Sequence, residues 1–488
     1  MSLKIAMIGA GSLGFTRRLV ADLLTVPELG DTEFWFMDID KRNLDMVAEI
    51  CRRDISKNGV DAKIICTQDR IEAVKDADYV TCTIRHGGLD AFRKDIEVPL
   101  KYGVDQCVGD TLCAGGLTYA QRHIPELLSI AKDIEQYAKK DALFMNYANP
   151  MSMNTWALEK YANIRHLGLC HGVEHGFSQL CKALEIPEQE ADFICAGINH
   201  QTWYIDLKHK GKDMKEFVLE AMQKHENFSV TEKVRIDVLK RFGYYSTESN
   251  GHLSEYLPWY RKRPEEVQDW IGWDCWINGE TGGYLRICEE GRDWFEKEYP
   301  KLMEEPALEY IAESRSAEHF SHIIEAEVTG RIYRGHFNVK NESYITNLPE
   351  GCIVEIPCFV DRLGIHPQRV GDLPLGCAGI LRNSISVQEL GMEAAVHGNI
   401  DLFKQALLLD PLTASVCNTE EIWQMGDELI VETSGWLPQY SDEVIEEARV
   451  RLRENPPSYD KRTEGVHIET KEEVKNMHES LELAGKGS

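Results

Sequence analysis

The chain has 488 residues, 43% hydrophobic and 28% charged, the composition of an ordinary globular protein long enough for two or three domains. A formal net charge of −27 speaks against nucleic acid or an anionic membrane surface as partner, since both need basic surface, but leaves room for a small anionic substrate in a locally basic pocket. Fourteen cysteines without a C-x-x-C pair, no apolar run of ~18 residues and no leader ahead of the first strand imply reduced thiols in the cytoplasm, without a zinc knuckle, signal peptide or membrane span.

Lys4-Ile5-Ala6-Met7-Ile8 reads as a buried strand and runs into Gly9-Ala10-Gly11-Ser12-Leu13-Gly14-Phe15, a full G-x-G-x-x-G. The three glycines are expected to act differently. Gly9 permits the tight turn, Gly11 lets backbone approach a pyrophosphate, and Gly14 lets the helix pack on the strand. The amides at the helix start, around Ser12 and Phe15, would hold the phosphates. A second apolar strand, Phe34-Trp35-Phe36-Met37, ends in Asp38, where an acid would take the ribose hydroxyls and repel a 2′-phosphate. NAD is therefore expected rather than NADP. The bland alternative is a glycine-rich turn with no ligand.

Strands follow over 78–84, 143–147 and 166–170, with a helix over 119–139 between the first two. The alternation predicts an α/β fold, a Rossmann-type doubly wound parallel sheet whose ligands sit beyond the carboxyl ends of the strands. Asn149, Cys170 and His171 fall at such ends. After about residue 190 the pattern changes to antiparallel pairing, 192–196 with 202–207, and to helices mixed with short strands. The expected domains are a dinucleotide-binding unit over 1–190, a mixed α/β substrate, metal and oligomerisation unit over 191–440, and a polar tail over 441–488. The tryptophan-rich segment 261–299 reads as an exposed insertion or an oligomer contact. No internal repeats are visible.

Two clusters could carry chemistry. Cys170-His171-Gly172-Val173-Glu174-His175 places a thiol, two imidazoles and a carboxylate within six residues, a donor set suited to a first-row transition ion. It also contains H-x-x-E-H, the inverted zinc-protease motif, although a dinucleotide site would have no role in such an enzyme. Gly197-Ile198-Asn199-His200 follows about thirty residues on. Each histidine alone is as readily a structural residue; beside a cofactor crevice the balance turns towards function.

With these motifs the sequence resembles glycoside hydrolase family 4, the NAD- and metal-dependent glycosidases, and within it the melibiase-type α-galactosidases. The likeness rests on the N-terminal fingerprint with Asp38, on Asp110-Thr111 with Gly115-Gly116, on Asn146 to Trp156, on Cys170 to Val173 and on Cys195 to His200. It continues through Thr247-Glu248-Ser249, His252, Glu255-Tyr256, Pro258-Trp259, Asn347-Leu348-Pro349 and Val360 to Pro367, and spans roughly residues 4–440. The resemblance implies NAD, Mn2+ or another divalent metal, a small α-glycoside substrate, and a homodimer or homotetramer. It implies Cys170 and His200 as metal ligands, Asn149 and Asn199 as substrate-binding residues, and His171 and Asp110 as catalytic groups near the leaving group and the metal. The family stands outside the two-carboxylate scheme of other glycosidases: hydride leaves C3, the C2 proton becomes acidic, the C1–O bond breaks by elimination, water adds and the hydride returns. His252 is the expected C2 base, with Tyr244, Tyr256 and Glu255 as alternatives.

The tetrad after the metal cysteine tracks specificity in the family. Cys-His-Gly-Val lies nearer the α-glucosidase and α-glucuronidase branches than the Cys-His-Ser-Val of galactosidases, while overall likeness favours an unphosphorylated α-galactoside. The tetrad keeps α-glucosides as an alternative, and Gly172 would leave room beside the metal for a C6 carboxylate, which keeps the α-uronides. Two rivals of other classes remain: a hydroxy-acid dehydrogenase working with a His–Asp pair, and a non-catalytic NAD-sensing regulator.

Overall fold

The computed structural model describes residues 2–270, 279–292 and 294–459, together with 467, 468, 470, 472, 473 and 475. Six short apolar segments form β1 (Lys4–Ile8), β2 (Glu33–Met37), β3 (Lys63–Thr67), β4 (Tyr79–Cys82), β5 (Leu143–Asn146) and β6 (Arg165–Leu169). They pair in parallel in the order β3-β2-β1-β4-β5-β6, the doubly wound order with its switch point between β1 and β4. Every residue of β4 and β5 is buried, as strands covered on both faces require.

The chain then forms β7 (Ala191–Ile198), β8 (Gln201–His209), β9 (Lys212–Asp213), β10 (Tyr333–Lys340), β11 (Ile353–Asp361) and β12 (Gly364–Pro367), all paired antiparallel. The expected β7–β8 pairing is present. These strands do not make a separate sheet, however. β10 lies against β6 with Phe337 opposite Leu169 and Asn338 opposite Gly168, so one twelve-stranded sheet crosses the expected boundary at residue 190. A single buried cluster likewise joins Ile5 and Leu117 to Phe337 and Leu381. Residue 190 separates the parallel from the antiparallel part of one layer.

Two further expectations change. Residues assigned to the polar tail form the helix Asp442–Glu454, capped by Ser441 and tied to the helix Thr419–Thr433 by Arg451 on Asp427. The described part of the tryptophan-rich segment is anchored rather than free. Arg261, fully buried, pairs with Asp105, and the amides of Gly282 and Tyr284 donate to the carbonyls of Gln106 and Cys107. Trp270 packs edge-on against Tyr260; Trp273 and Trp276 lie outside the described residues. Among the described residues no helix is long and apolar enough to cross a membrane.

Candidate active site at the carboxyl ends of the sheet

At the end of β1, Gly9 takes φ +89°, a conformation left to glycine, and its amide and that of Ala10 donate to the Met37 carbonyl at 2.9 and 3.0 Å. The turn is thereby locked to the end of β2. Asp38, the next residue there, accepts from the Gly11 amide at 2.8 Å, and a Cβ on Gly11 would lie 2.7 Å from the same carboxylate oxygen. Ser12 precedes the helix Leu13–Leu24 without a side-chain cap, so the first amides of that helix are open to an anion. Gly14 corrects the expectation: a Cβ there would meet no atom within 4 Å, so this glycine is not needed for packing on the strand. Its bareness lies on the exposed face of the first helical turn. Phe15 packs edge-on against Tyr147 at 5.4 Å, and Ile39, just past Asp38, is 86% exposed.

Three chain segments meet beside this crevice. Cys170 directly follows β6, His200 stands in the β7–β8 turn with φ +63°, and Glu248 comes just before the helix Asn250–Tyr256. The Cys170 Sγ lies 3.3 Å from His200 Nε2 and 3.9 Å from a Glu248 oxygen, which is itself 3.8 Å from His200 Nε2. Burial pushes the Cys170 thiol well up, and the Glu248 and Glu355 carboxylates push the same way. Burial opposes ionisation of Glu248, yet its carboxyl lies below the usual range, because a proton on the neighbouring imidazoles, His200 before His252, would favour the charged form. A thiol, an imidazole and a carboxylate this close suit a first-row divalent ion, whose neighbouring ligands stand ~3–4 Å apart when bonds are ~2.0–2.3 Å.

A relay fixes His200. Its Nδ1 is 3.0 Å from Thr111 Oγ1, and that hydroxyl donates to Asp110 Oδ1 at 2.8 Å. With its proton committed to Asp110, the hydroxyl accepts from Nδ1–H, and Nε2 is left with its lone pair towards Cys170. Asp110 also accepts from Asn149 Nδ2 at 3.1 Å and has Arg85 at 3.7 Å. Asp110 and Asn149 thus stand together behind His200.

His171 lies at the rim, its side chain 51% exposed, with Nδ1 3.3 Å from Glu318. That carboxylate pushes the imidazole up to about 9. His252 is buried, packs edge-on to His200 at 4.8 Å, and has Nδ1 2.6 Å from Ser249 Oγ. Burial, reinforced by His200, lowers it to about 4, so it is neutral at physiological pH.

The alternatives to His252 are placed elsewhere. Glu255 accepts the amides of Cys107, Val108 and Gly109 at 2.8, 3.0 and 3.0 Å and is spent on holding the turn that precedes Asp110. Tyr256 is fully buried, and burial raises its hydroxyl well above the usual range. Tyr244 lines a small void with Leu180, Leu207 and Val218, none of them a site residue.

Two more expectations are corrected. Asn199, expected on the substrate, has no exposed surface, and its amide donates to the buried Glu355 at 3.4 Å beneath the thiol. Gly172 does not leave room beside the metal site, because a Cβ there would lie 1.6 Å from a Glu248 oxygen. The H-x-x-E-H reading also fails: Glu174 turns to His336 at 2.9 Å and His319 at 3.3 Å, away from a joint site with His171 and His175. Glu248, Thr111 and Glu318 escaped sequence reasoning as site residues. The only signal was that Thr111 and Glu248 sit inside motifs carrying the family likeness.

Comparisons with known proteins place the whole chain. Residues 4–186 match the family model "Family 4 glycosyl hydrolase" and 195–413 match "Family 4 glycosyl hydrolase C-terminal domain". An α-galactosidase of Rhizobium meliloti (strain 1021) is 52% identical over 452 residues, 92% of either chain. An α-galactosidase of Bacillus subtilis (strain 168) is 34% identical, covering 90% of this chain and 99% of the relative. The crystal structure of a Bacillus subtilis protein described as a glucosidase superposes with a TM-score of 0.77 at 26% identity, over 88% of this chain and 99% of that one. Fingerprint, thiol–imidazole pair and matched models together make the chain a glycoside hydrolase and a member of family 4.

Proposed function

We propose that the chain is an NAD- and divalent-metal-dependent α-galactosidase acting on unphosphorylated α-galactosides. The observation that carries this is a dinucleotide turn at the end of β1 on the same strand-end crevice as the Cys170–His200 pair, in a chain half identical to an α-galactosidase. When bound, NAD+ would take and return the C3 hydride, and the metal, Mn2+ or a similar ion, would act as a Lewis acid on the sugar oxygens.

The protein's own groups then have these roles. Gly9, Gly11, Ser12, Gly14 and Phe15 offer backbone to the pyrophosphate, Asp38 offers acceptors to the ribose, and the exposed Ile39 suits an adenine face. Cys170 and His200 hold the metal. Asn149 and Asp110 hydrogen-bond sugar hydroxyls. His252 is neutral, and with Nδ1 engaged by Ser249 its Nε2 is the atom that takes the C2 proton. His171, kept protonated by Glu318, gives its proton to the leaving oxygen as C1–O breaks. The room beside Gly172 offered to a C6 carboxylate is filled by Glu248, which speaks against the uronide alternative.

A panel of nitrophenyl α- and β-glycosides, uronides and 6-phosphates, assayed with NAD+, Mn2+ and a thiol reductant, tests the substrate class. Nitrophenyl α-galactoside should be cleaved fastest. In deuterium oxide the galactose released should carry deuterium at C2, because C2–H is broken on this path. Unlabelled product would overturn the elimination, and preference for a 6-phosphate would overturn the substrate.

The Thr111 relay has its own expected result. Thr111→Val should leave the fold intact and weaken Mn2+ binding by ~10–100-fold, the range typical of partners that orient a metal-bound histidine. An unchanged dissociation constant in a Mn2+ titration would remove Thr111 from the site.

The enzyme is expected to act as a homo-oligomer in the cytoplasm. Ile332, Leu363 and Leu375, each at least 72% exposed on the antiparallel part, support a contact between copies, and the thirteen described cysteines form no disulfide. Sedimentation of the purified protein measures the assembly.

A further inference from the structure

Two groups of potential ligands share His200: Cys170 with Glu248 on one side, Asp110 with His252 on the other. The second is already engaged. Asp110 is bonded to Thr111 and Asn149, His252 Nδ1 is at Ser249, and His200 Nδ1 is at Thr111. The first is not. Cys170 Sγ stands 3.3 Å from His200 Nε2 and 3.9 Å from the Glu248 oxygen, within hydrogen-bonding reach of sulfur, and that oxygen is 3.8 Å from Nε2, too far for a direct bond; the three atoms are spaced as three ligands on one face of an ion would be. Within 4 Å, among the described residues, the one ion-pair partner of Glu248 is His200. A carboxylate in a largely buried site needs a cation to balance it, and a divalent ion held there would take the neighbouring thiol as thiolate.

The residue that admits Glu248 is Gly172. Its amide lies 3.4 Å from Cys170 Sγ, and any Cβ it carried would overlap the Glu248 carboxylate. Gly172 and Glu248 are thus a matched pair, far apart in sequence and in contact in space.

We infer that Glu248 is a third protein ligand of the metal, admitted by Gly172, so that a thiolate, an imidazole and a carboxylate hold the ion before any sugar arrives. The inference rests on the Cys170–His200 reading. Its consequence is a site whose two anionic ligands neutralise a divalent ion, with the remaining coordination positions on the opposite side left to sugar oxygens and water.

The test uses the metal alone. Mn2+ is titrated into metal-free protein without sugar and the free ion is followed by electron paramagnetic resonance. Glu248→Gln should weaken binding by more than ~100-fold, beyond the effect of an outer partner such as Thr111. In the Co2+-loaded protein, the thiolate-to-metal absorption band should persist in Glu248→Gln and vanish in Cys170→Ser. Gly172→Ala should weaken Mn2+ binding in the wild-type background and have no further effect on top of Glu248→Ala, since the space is then empty. Wild-type affinity in Glu248→Gln, with affinity lost in Cys170→Ser, would overturn Glu248 as a ligand. Wild-type affinity in Cys170→Ser as well would overturn the reading on which it rests.

Discussion

Cys170→Ser is expected to lower kcat/KM by ~10³-fold or more, about 4 kcal/mol of transition-state stabilisation, while NAD+ binding and the melting curve stay near wild type. A hydroxyl is a hard, weakly acidic replacement for a thiolate in a site built for a softer donor. The fold should survive because Cys170 lies past the end of β6 and makes only long contacts through its sulfur. Glycoside assay, NAD+ titration and thermal melt on one preparation give the three readouts. Full activity in this variant, or in wild-type enzyme stripped of metal, would refute the metal assignment.

Glu255→Ala is expected to destabilise the protein by about 3–5 kcal/mol and to abolish activity, although Glu255 touches no substrate. Its two oxygens accept three consecutive backbone amides, from Cys107 to Gly109, in the turn that leads into Asp110. Alanine would orphan all three donors in the interior. Glu255→Gln should cost less, about 1–3 kcal/mol, because the amide oxygen can keep the pair at Cys107 and Val108 while its N–H₂ faces the Gly109 amide. Denaturant unfolding measures both. A loss below about 1 kcal/mol in the alanine variant would mean that the turn is held by its neighbours instead.

The parallel half of the fold was legible because its signals are local. Strand, glycine turn, helix and Asp38 follow one another within about forty residues, and their spacing alone specifies a crevice. Cys170 and Asn149 stood out at strand ends, His200 in a second cluster and Asp110 through the family resemblance, and the structure brings all four together. What stayed hidden depends on approach across the chain. Glu248 reaches Cys170 from 78 positions away, and no periodicity marks which carboxylate will do so. Asn199 and His200 are neighbours in sequence, yet one side chain turns beneath the thiol to Glu355 and the other stands between the thiol and Glu248. Gly172 shows the same limit: its missing side chain looked like open space, and only the fold reveals that another residue occupies it. For Gly14 the error runs the other way, from an assumed close contact to none.

The unbroken sheet has a mechanical consequence. The dinucleotide turn hangs on β1, the thiol on β6 and the imidazole on the β7–β8 hairpin, all parts of one hydrogen-bonded lattice. C3 and C2 of a hexose are separated by a single bond, so the groups that attack them must keep their spacing to a fraction of an ångström throughout turnover. A hinge between two lobes would let that spacing breathe. Here any such bend would have to tear the ladder between β6 and β10, where Leu169 and Gly168 face Phe337 and Asn338. The parallel half is therefore one end of a rigid plate rather than a detachable module, and the spacing between the glycine turn and the thiol–imidazole pair is set by strand geometry.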